Sequence, residues 1–280
     1  MRKTLLIPMM IVLAVPALAQ QLRLPRPSQK SVLTQTVGLT DVTITYSRPG
    51  VKGRKIFGGL VPYGQVWRTG ANEATTIAFT DDVTINGQPL PKGTYSLHTI
   101  PGENEWTLIF NKTADQWGSY SYDQKQDALR INVKPRNAIE KHEWMTFEIP
   151  ELSTDSATFV LAWDNLEVPF TVNTNTTKKV IADATAAVAA AKPDDFSTPL
   201  SAANFAFNSG MTAEAHKWLE QSIKAKETMS NLWLKARMEA AAGKKADAIV
   251  TGEKALSLKT DKDSAELASE IRKQVEGWKR

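Results

Sequence analysis

Val42-Thr43-Ile44-Thr45-Tyr46 places an apolar or aromatic side chain at every second position with a threonine between, so one face of an extended segment is dry and the other wet. The same two-residue beat recurs at Ile77 and Phe79, at Tyr95, Leu97 and Thr99, and at Trp106, Leu108 and Phe110. It continues through Leu129, Ile131 and Val133, Met145, Phe147 and Ile149, Phe159, Leu161 and Trp163, and Val168, Phe170 and Val172. Turn chemistry separates the runs. Asn86-Gly87 suits a two-residue hairpin because both positions accept positive φ, and Pro101-Gly102-Glu103-Asn104 joins two further strands. One-sided strands in such number bury their dry faces only by stacking or closing. The expected fold of residues 31–173 is therefore an antiparallel β-sandwich of jelly-roll-like type, preceded by an N-terminal extension over 20–30.

Beyond Asn175 alanine takes over, and Ala182–Lys192 reads as a helix halted by Pro193, so residues 174–199 are expected to be a linker with one helix. Gly210-Met211-Thr212-Ala213-Glu214-Ala215 and Gly243-Lys244-Lys245-Ala246-Asp247-Ala248 then lie 33 residues apart, with Ala215 matching Ala248 and Ile223 matching Leu256. This is the layout of stacked helix–turn–helix units and predicts a small all-α helical-hairpin repeat over 200–280, similar to tetratricopeptide repeats. Such arrays usually need at least three units for independent stability, so this segment is expected to lean on the sandwich or on a protein partner.

The amino terminus carries Arg2 and Lys3, an apolar stretch from Leu5 to Val15, and Ala17-Leu18-Ala19 before Gln20, the pattern of a cleavable signal peptide over residues 1–19. The expected destination is the periplasm or the exterior. No cysteine stands at the cleavage point to take a lipid, and no membrane span is expected after cleavage.

With no cysteine anywhere in 280 residues, disulfides, thiol catalysis, Cys-ligated zinc and iron–sulfur clusters are excluded. Removal of Arg2 and Lys3 with the leader leaves 32 basic against 30 acidic residues, which is too even for a phosphate-backbone binder, so no nucleic acid is expected. No P-loop, H-E-x-x-H or G-x-S-x-G motif occurs, and no cofactor, metal or catalytic residue is assigned.

The stretch TDVTITYSRPGVKGRKIFGGLVPYGQVWRTGANE over Thr40–Glu73 is more particular than strand-and-turn grammar requires. Together with PKGTYSLHTIP over Pro91–Pro101, WTLIFNK over Trp106–Lys112 and the Ala157–Trp163 strand, it resembles the exported bacterial family catalogued as domain of unknown function 2911. The resemblance covers roughly residues 25–173 and implies export and a β-rich domain, sometimes followed by helical repeats. It implies no established activity. Some members bear an asparagine-synthetase label, but this chain has neither an N-terminal cysteine amidotransferase nor an ATP-using domain.

Several residues are candidates for contact with a ligand. Arg48, Lys52, Arg54 and Lys55 share a loop without an acidic residue and suit a carboxylate, sulfate or phosphate, or simply water and nearby acids. Trp67, Arg68, Asn72 and Glu73 combine an aromatic platform with planar polar groups, as sugar or peptide recognition requires. A core Trp67 beside a buried Arg68–Glu73 ion pair accounts for the same residues without a ligand. His98 shares its strand face with Ser96 and Ile100, as a strand histidine or as an acid/base or ligand contact, while His142 falls in an expected loop and His216 on a helix. Asp81/Asp82, Glu103/Glu105 and Asp123/Asp127 are the candidate paired acids for a hydrolase. Trp117-Gly118-Ser119-Tyr120-Ser121-Tyr122 interleaves rings with small residues, which suits a carbohydrate or protein contact. The expected function is a non-catalytic exported binding module for a small polar ligand, glycan or peptide, with helical repeats for protein contacts. The alternatives are an envelope hydrolase using His98 or acids near Glu73, and an interaction protein with no small-molecule site.

Overall fold

The computed structural model describes residues 24–280; the expected leader over 1–19 lies outside the described residues. Ten strands form two antiparallel sheets. The larger has the order β1 (Gln29–Val37), β2 (Thr40–Arg48), β3 (Thr76–Phe79), β6 (Gly93–Ile100), β7 (Trp106–Asn111), β8 (Asp127–Val133). The smaller has the order β5 (Gln88–Leu90), β4 (Val83–Ile85), β10 (Ser156–Asn173), β9 (Arg136–Leu152). Val42, Ile44, Ile77, Leu97, Leu108 and Phe110 from the first meet Ile85, Phe147, Phe159, Leu161, Phe170 and Val172 from the second in one continuous buried cluster, so the sheets stack face to face. The two-residue beat is thus the physical cause of the sandwich.

Local chemistry sets the turns. Asn86 and Gly87 both have positive φ, 47° and 82°, and close the β4–β5 hairpin at the expected position. The Phe159–Trp163 and Val168–Val172 runs are one long strand, because irregularities around Asp164, at φ 55°, let β10 bend without ending. His142 lies in β9 opposite Asp164, not in the expected loop: a bulged hairpin keeps pairing where the apolar alternation stops.

Only Thr174 and Asn175 separate β10 from α1 (Thr176–Ala190), which begins before the expected Ala182. Asp155 receives the backbone N–H and hydroxyl of Thr177, both at 2.6 Å, and so satisfies the first turn of the helix. Lys179 pairs with Asp81 at 2.9 Å, fastening α1 to the sandwich. Gly38, at φ 62°, is the close contact in this junction: a Cβ there would stand 1.9 Å from the Thr176 hydroxyl oxygen. Gly38→Ala is expected to cost about 1–2 kcal/mol from the left-handed backbone alone, and thermal unfolding should resolve into separate transitions as α1 is pushed from its seat.

The helices α2 (Ser197–Asn208), α3 (Thr212–Ala225), α4 (Met229–Ala241), α5 (Lys245–Ser257) and α6 (Ala265–Lys279) follow. Gly210 and Gly243 turn α2 into α3 and α4 into α5 with φ of 76° and 78°. Ala215 and Ala248 are fully buried where the helices cross, which explains their common spacing from the two glycines. Among the described residues no helix is long and apolar enough to cross a membrane, and no group of three His, Asp or Glu side chains could hold a metal ion.

Candidate functional site

The outer face of the larger sheet carries the wet positions of the alternation. Thr45 and Thr76 stand directly opposite each other across β2 and β3, and Thr76 in turn faces Ser96 on β6. Gln116 donates to the Ser96 hydroxyl at 3.3 Å and to the Thr113 carbonyl at 2.6 Å, which lays the segment after β7 across this face. Between that segment and the first strands lies a recess of about 520 Å³. Its floor is Thr45, Ser47 and Thr76, and its walls carry Arg26, Lys30, Glu73, Asp115 and Gln116.

Glu73 is held by Arg26 through two contacts of 2.6 and 2.9 Å. That hydrogen bond to Arg26 holds its carboxyl below the usual range, so Glu73 is charged at neutral pH. The Arg26 guanidinium also lies 5.7 Å from the Trp117 ring centre, and Trp117 pairs with the Glu73 backbone while remaining 57% exposed. Two cations and two carboxylates line the recess, so its charge is balanced. Among the described residues the hydroxyls of Thr45, Ser47 and Thr76 make no side-chain hydrogen bond.

The residues singled out from sequence do not all converge here. Glu73 lines the recess, and Asn72, at φ 60°, donates to the Ser28 carbonyl at 3.0 Å, which pins the strap bearing Arg26. The expected Arg68–Glu73 ion pair is not formed: Arg26, in the segment read as a mere extension, takes Glu73 instead. Trp67 is only 8% exposed and stacks on Trp163 at 5.8 Å, with its Nε1 donating to the Gly70 carbonyl at 3.1 Å. Its ring serves the core and offers no open face. Arg48 donates to the Met145 carbonyl at 2.8 Å, and Arg54 to the Val51 and Gly50 carbonyls. The Arg48 guanidinium therefore ties β2 to the edge of β9, where Val51 donates to the Glu143 carbonyl at 2.7 Å, while that of Arg54 closes the loop on itself. Lys55 is exposed.

Arg68 lines a different cleft, with Leu60, Pro62, Gln65, Ser119 and Tyr120. Burial lowers its pKa, and no carboxylate of the described residues acts on it.

His98 is fully buried beneath the segment that follows β7, with its ring 5.2 Å from Tyr122 and neither nitrogen in a hydrogen bond of good geometry among the described residues. Burial depresses its pKa to about 4, against smaller opposing effects from the Gly118 carbonyl and Asp127. Tyr122 donates to Asp127 at 2.7 Å, and burial together with that bond pushes its pKa up to about 12. Five of the six paired acids are occupied in structure: Asp81 with Lys179, Asp82 with the Lys92 N–H, Glu105 with Asn132, Asp123 with the Lys125 N–H, and Asp127 with Asn111, Tyr122 and Arg130, while Glu103 makes no side-chain bond among the described residues.

Sequence reading passed over Arg26, Lys30, Thr45, Ser47 and Thr76. The threonines were accessible to it, since the alternation that buries Ile44 and Ile77 turns their neighbours outward; the strap was not, because no local pattern says where it returns.

A family model described as a protein of unknown function, DUF2911, matches residues 28–172, just over half of the chain. No curated protein and no solved structure matches it.

Proposed function

The chain belongs to the family of proteins of unknown function DUF2911, and from the geometry of the recess we propose that it is an exported, non-catalytic binding module whose sandwich takes a neutral polyhydroxyl ligand of glycan type. The observation that carries this reading is a charge-balanced recess of about 520 Å³ floored by three hydroxyls free of side-chain partners among the described residues, with the exposed Trp117 ring packed against Arg26 of its wall. A net charge in the walls would select an ion. Balanced donors and acceptors, fixed in place by the Arg26–Glu73 pair, instead suit the alternating donors and acceptors of sugar hydroxyls. An aromatic ring beside them supplies the flat apolar contact that a pyranose face needs.

The leader pattern over 1–19 supports export to the periplasm or beyond. The paired helices of residues 200–280, with their 33-residue spacing, support a tetratricopeptide-like role in protein contacts.

The test is calorimetric titration of the purified protein with a panel of neutral oligosaccharides. At least one should bind, and Trp117→Ala should weaken it about tenfold, the equivalent of about 1.4 kcal/mol. Thr76→Val, which keeps the shape and deletes a hydroxyl, should weaken it by a smaller factor. A panel without a binder, or binding indifferent to both substitutions, would remove the proposal.

A further inference from the structure

The cleft at Arg68 shares no residue with the hydroxyl-floored recess. It has about 310 Å³ of space between the segment Leu60–Arg68 and Ser119–Tyr120. Among the described residues, Arg68 brings the one charged group that lines it. The guanidinium is half-buried, its Nε is sealed without an acceptor, and no side-chain hydrogen bond or ion pair of the described residues engages it. The terminal nitrogens are not sealed. Folding normally places an opposite charge beside a cation withdrawn from water, because desolvation is otherwise uncompensated.

The backbone under this side chain is held on both sides. Trp67 exchanges backbone hydrogen bonds with Thr99 at 2.7 and 2.9 Å, and the Arg68 carbonyl accepts from Thr75 N–H at 3.1 Å. The next residue, Thr69, is β-branched, fully buried and left-handed at φ 55°. It is held there by the Thr99 hydroxyl at 3.1 Å and by the Thr75 hydroxyl, which donates to its carbonyl at 2.6 Å. Such a conformation is an outlier for threonine and persists only where its surroundings enforce it. Arg68 is therefore aimed in advance, and the ordering cost of binding it is reduced. Around it, Leu60 and Pro62 give apolar surface, and Tyr120 stands 87% exposed.

We propose that this cleft binds the carboxylate of a monoanion with an apolar body, Arg68 being the anchor and Leu60, Pro62 and Tyr120 the apolar wall. A planar guanidinium matches a carboxylate through two parallel hydrogen bonds. One positive charge neutralises one carboxylate, whereas a phosphate dianion would leave a charge unmatched among apolar neighbours. A peptide ending in a hydrophobic residue and a free aryl acid share this chemistry.

Calorimetric titration of the purified protein decides the matter, using phenylacetate, an N-acetylated dipeptide ending in phenylalanine, the amide of that dipeptide, and inorganic phosphate. At least one carboxylate should bind, the stronger of the two identifying the source. The amide should bind at least tenfold more weakly than the dipeptide acid if the peptide is the source, and phosphate more weakly than the preferred carboxylate. Arg68→Met should lower carboxylate affinity at least tenfold while leaving thermal stability equal or higher, because an uncompensated buried charge has been removed. Should that variant not fold, Arg68→Lys should fold and lose much of the affinity for the preferred carboxylate. Neither carboxylate binding at millimolar concentration, phosphate binding best, an amide as good as its acid, or full affinity in folded Arg68→Met or Arg68→Lys would overturn the proposal. Binding of neutral oligosaccharides should be unchanged by Arg68→Met, so the two sites stand or fall separately.

Discussion

Trp163→Ala is expected to lower the unfolding free energy by about 3–5 kcal/mol, the range for deleting a fully buried large aromatic side chain. Trp163 is 1% exposed in β10 and packs against two aromatic rings of the connection between β2 and β3. Its ring stacks on Trp67 at 5.8 Å and meets Phe57 edge-on at 6.0 Å, while Phe57 in turn meets Trp106 of β7 at 4.9 Å. The two sheets and the long connection between β2 and β3 are joined at this point, so the cavity cannot be closed by moving one neighbour. Its Nε1 is buried without an acceptor among the described residues. Trp163→Phe should therefore cost much less than the alanine variant, since it keeps a ring and deletes a donor that forms no bond in the fold. Denaturant unfolding with unchanged m-values would measure both. An alanine variant as stable as the parent would show that the aromatic junction does not hold the fold together.

Acid should destabilise the protein through His98. The ring is neutral in the fold because burial depresses its pKa to about 4, whereas an unfolded histidine titrates near its ordinary value of 6.5. Between those values the unfolded chain binds a proton that the folded chain does not, so stability rises with pH. The contribution is complete above pH 6.5 and is lost as pH falls toward 4, amounting to about 3 kcal/mol. Carboxylates also titrate near the lower end, so the informative quantity is the difference between parent and His98→Leu. The parent should lose stability relative to that variant by about 1.4 kcal/mol for each pH unit in the window. Parallel stability curves for the two proteins would refute this assignment. Since Gln116 and Tyr120 border the two recesses and Tyr122 packs on His98, hydrogen exchange in residues 116–122 should quicken over the same range.

The legible part of this protein is the part governed by short-range periodicity. Alternation at Val42–Tyr46 and Trp106–Phe110, the Asn86-Gly87 turn and the glycines at 210 and 243 all concern neighbours within a few residues, and each is found where the pattern puts it. The candidate site was less legible for a definite reason. Arg48, Arg54, Arg68 and Glu73 lie close in sequence, yet each finds a different environment: the Met145 carbonyl of β9 for the first, the carbonyls of its own loop for the second, an unpaired cleft for the third and Arg26 for the fourth. Pairing of charges is decided by which segments return to the same place, and residue type carries no such information.

Taken alone, the amino-acid order determined that the front of the chain is a stack of one-sided strands and the rear a set of paired helices, because an apolar face must be covered whatever covers it. Tertiary structure decided what those surfaces present to solvent. It turned Trp67 into core, brought Arg26 across forty-seven positions to Glu73, enclosed His98 and left Arg68 without a counter-charge among the described residues. The reason is that burial and charge compensation depend on distances between remote segments, which only the closed fold sets.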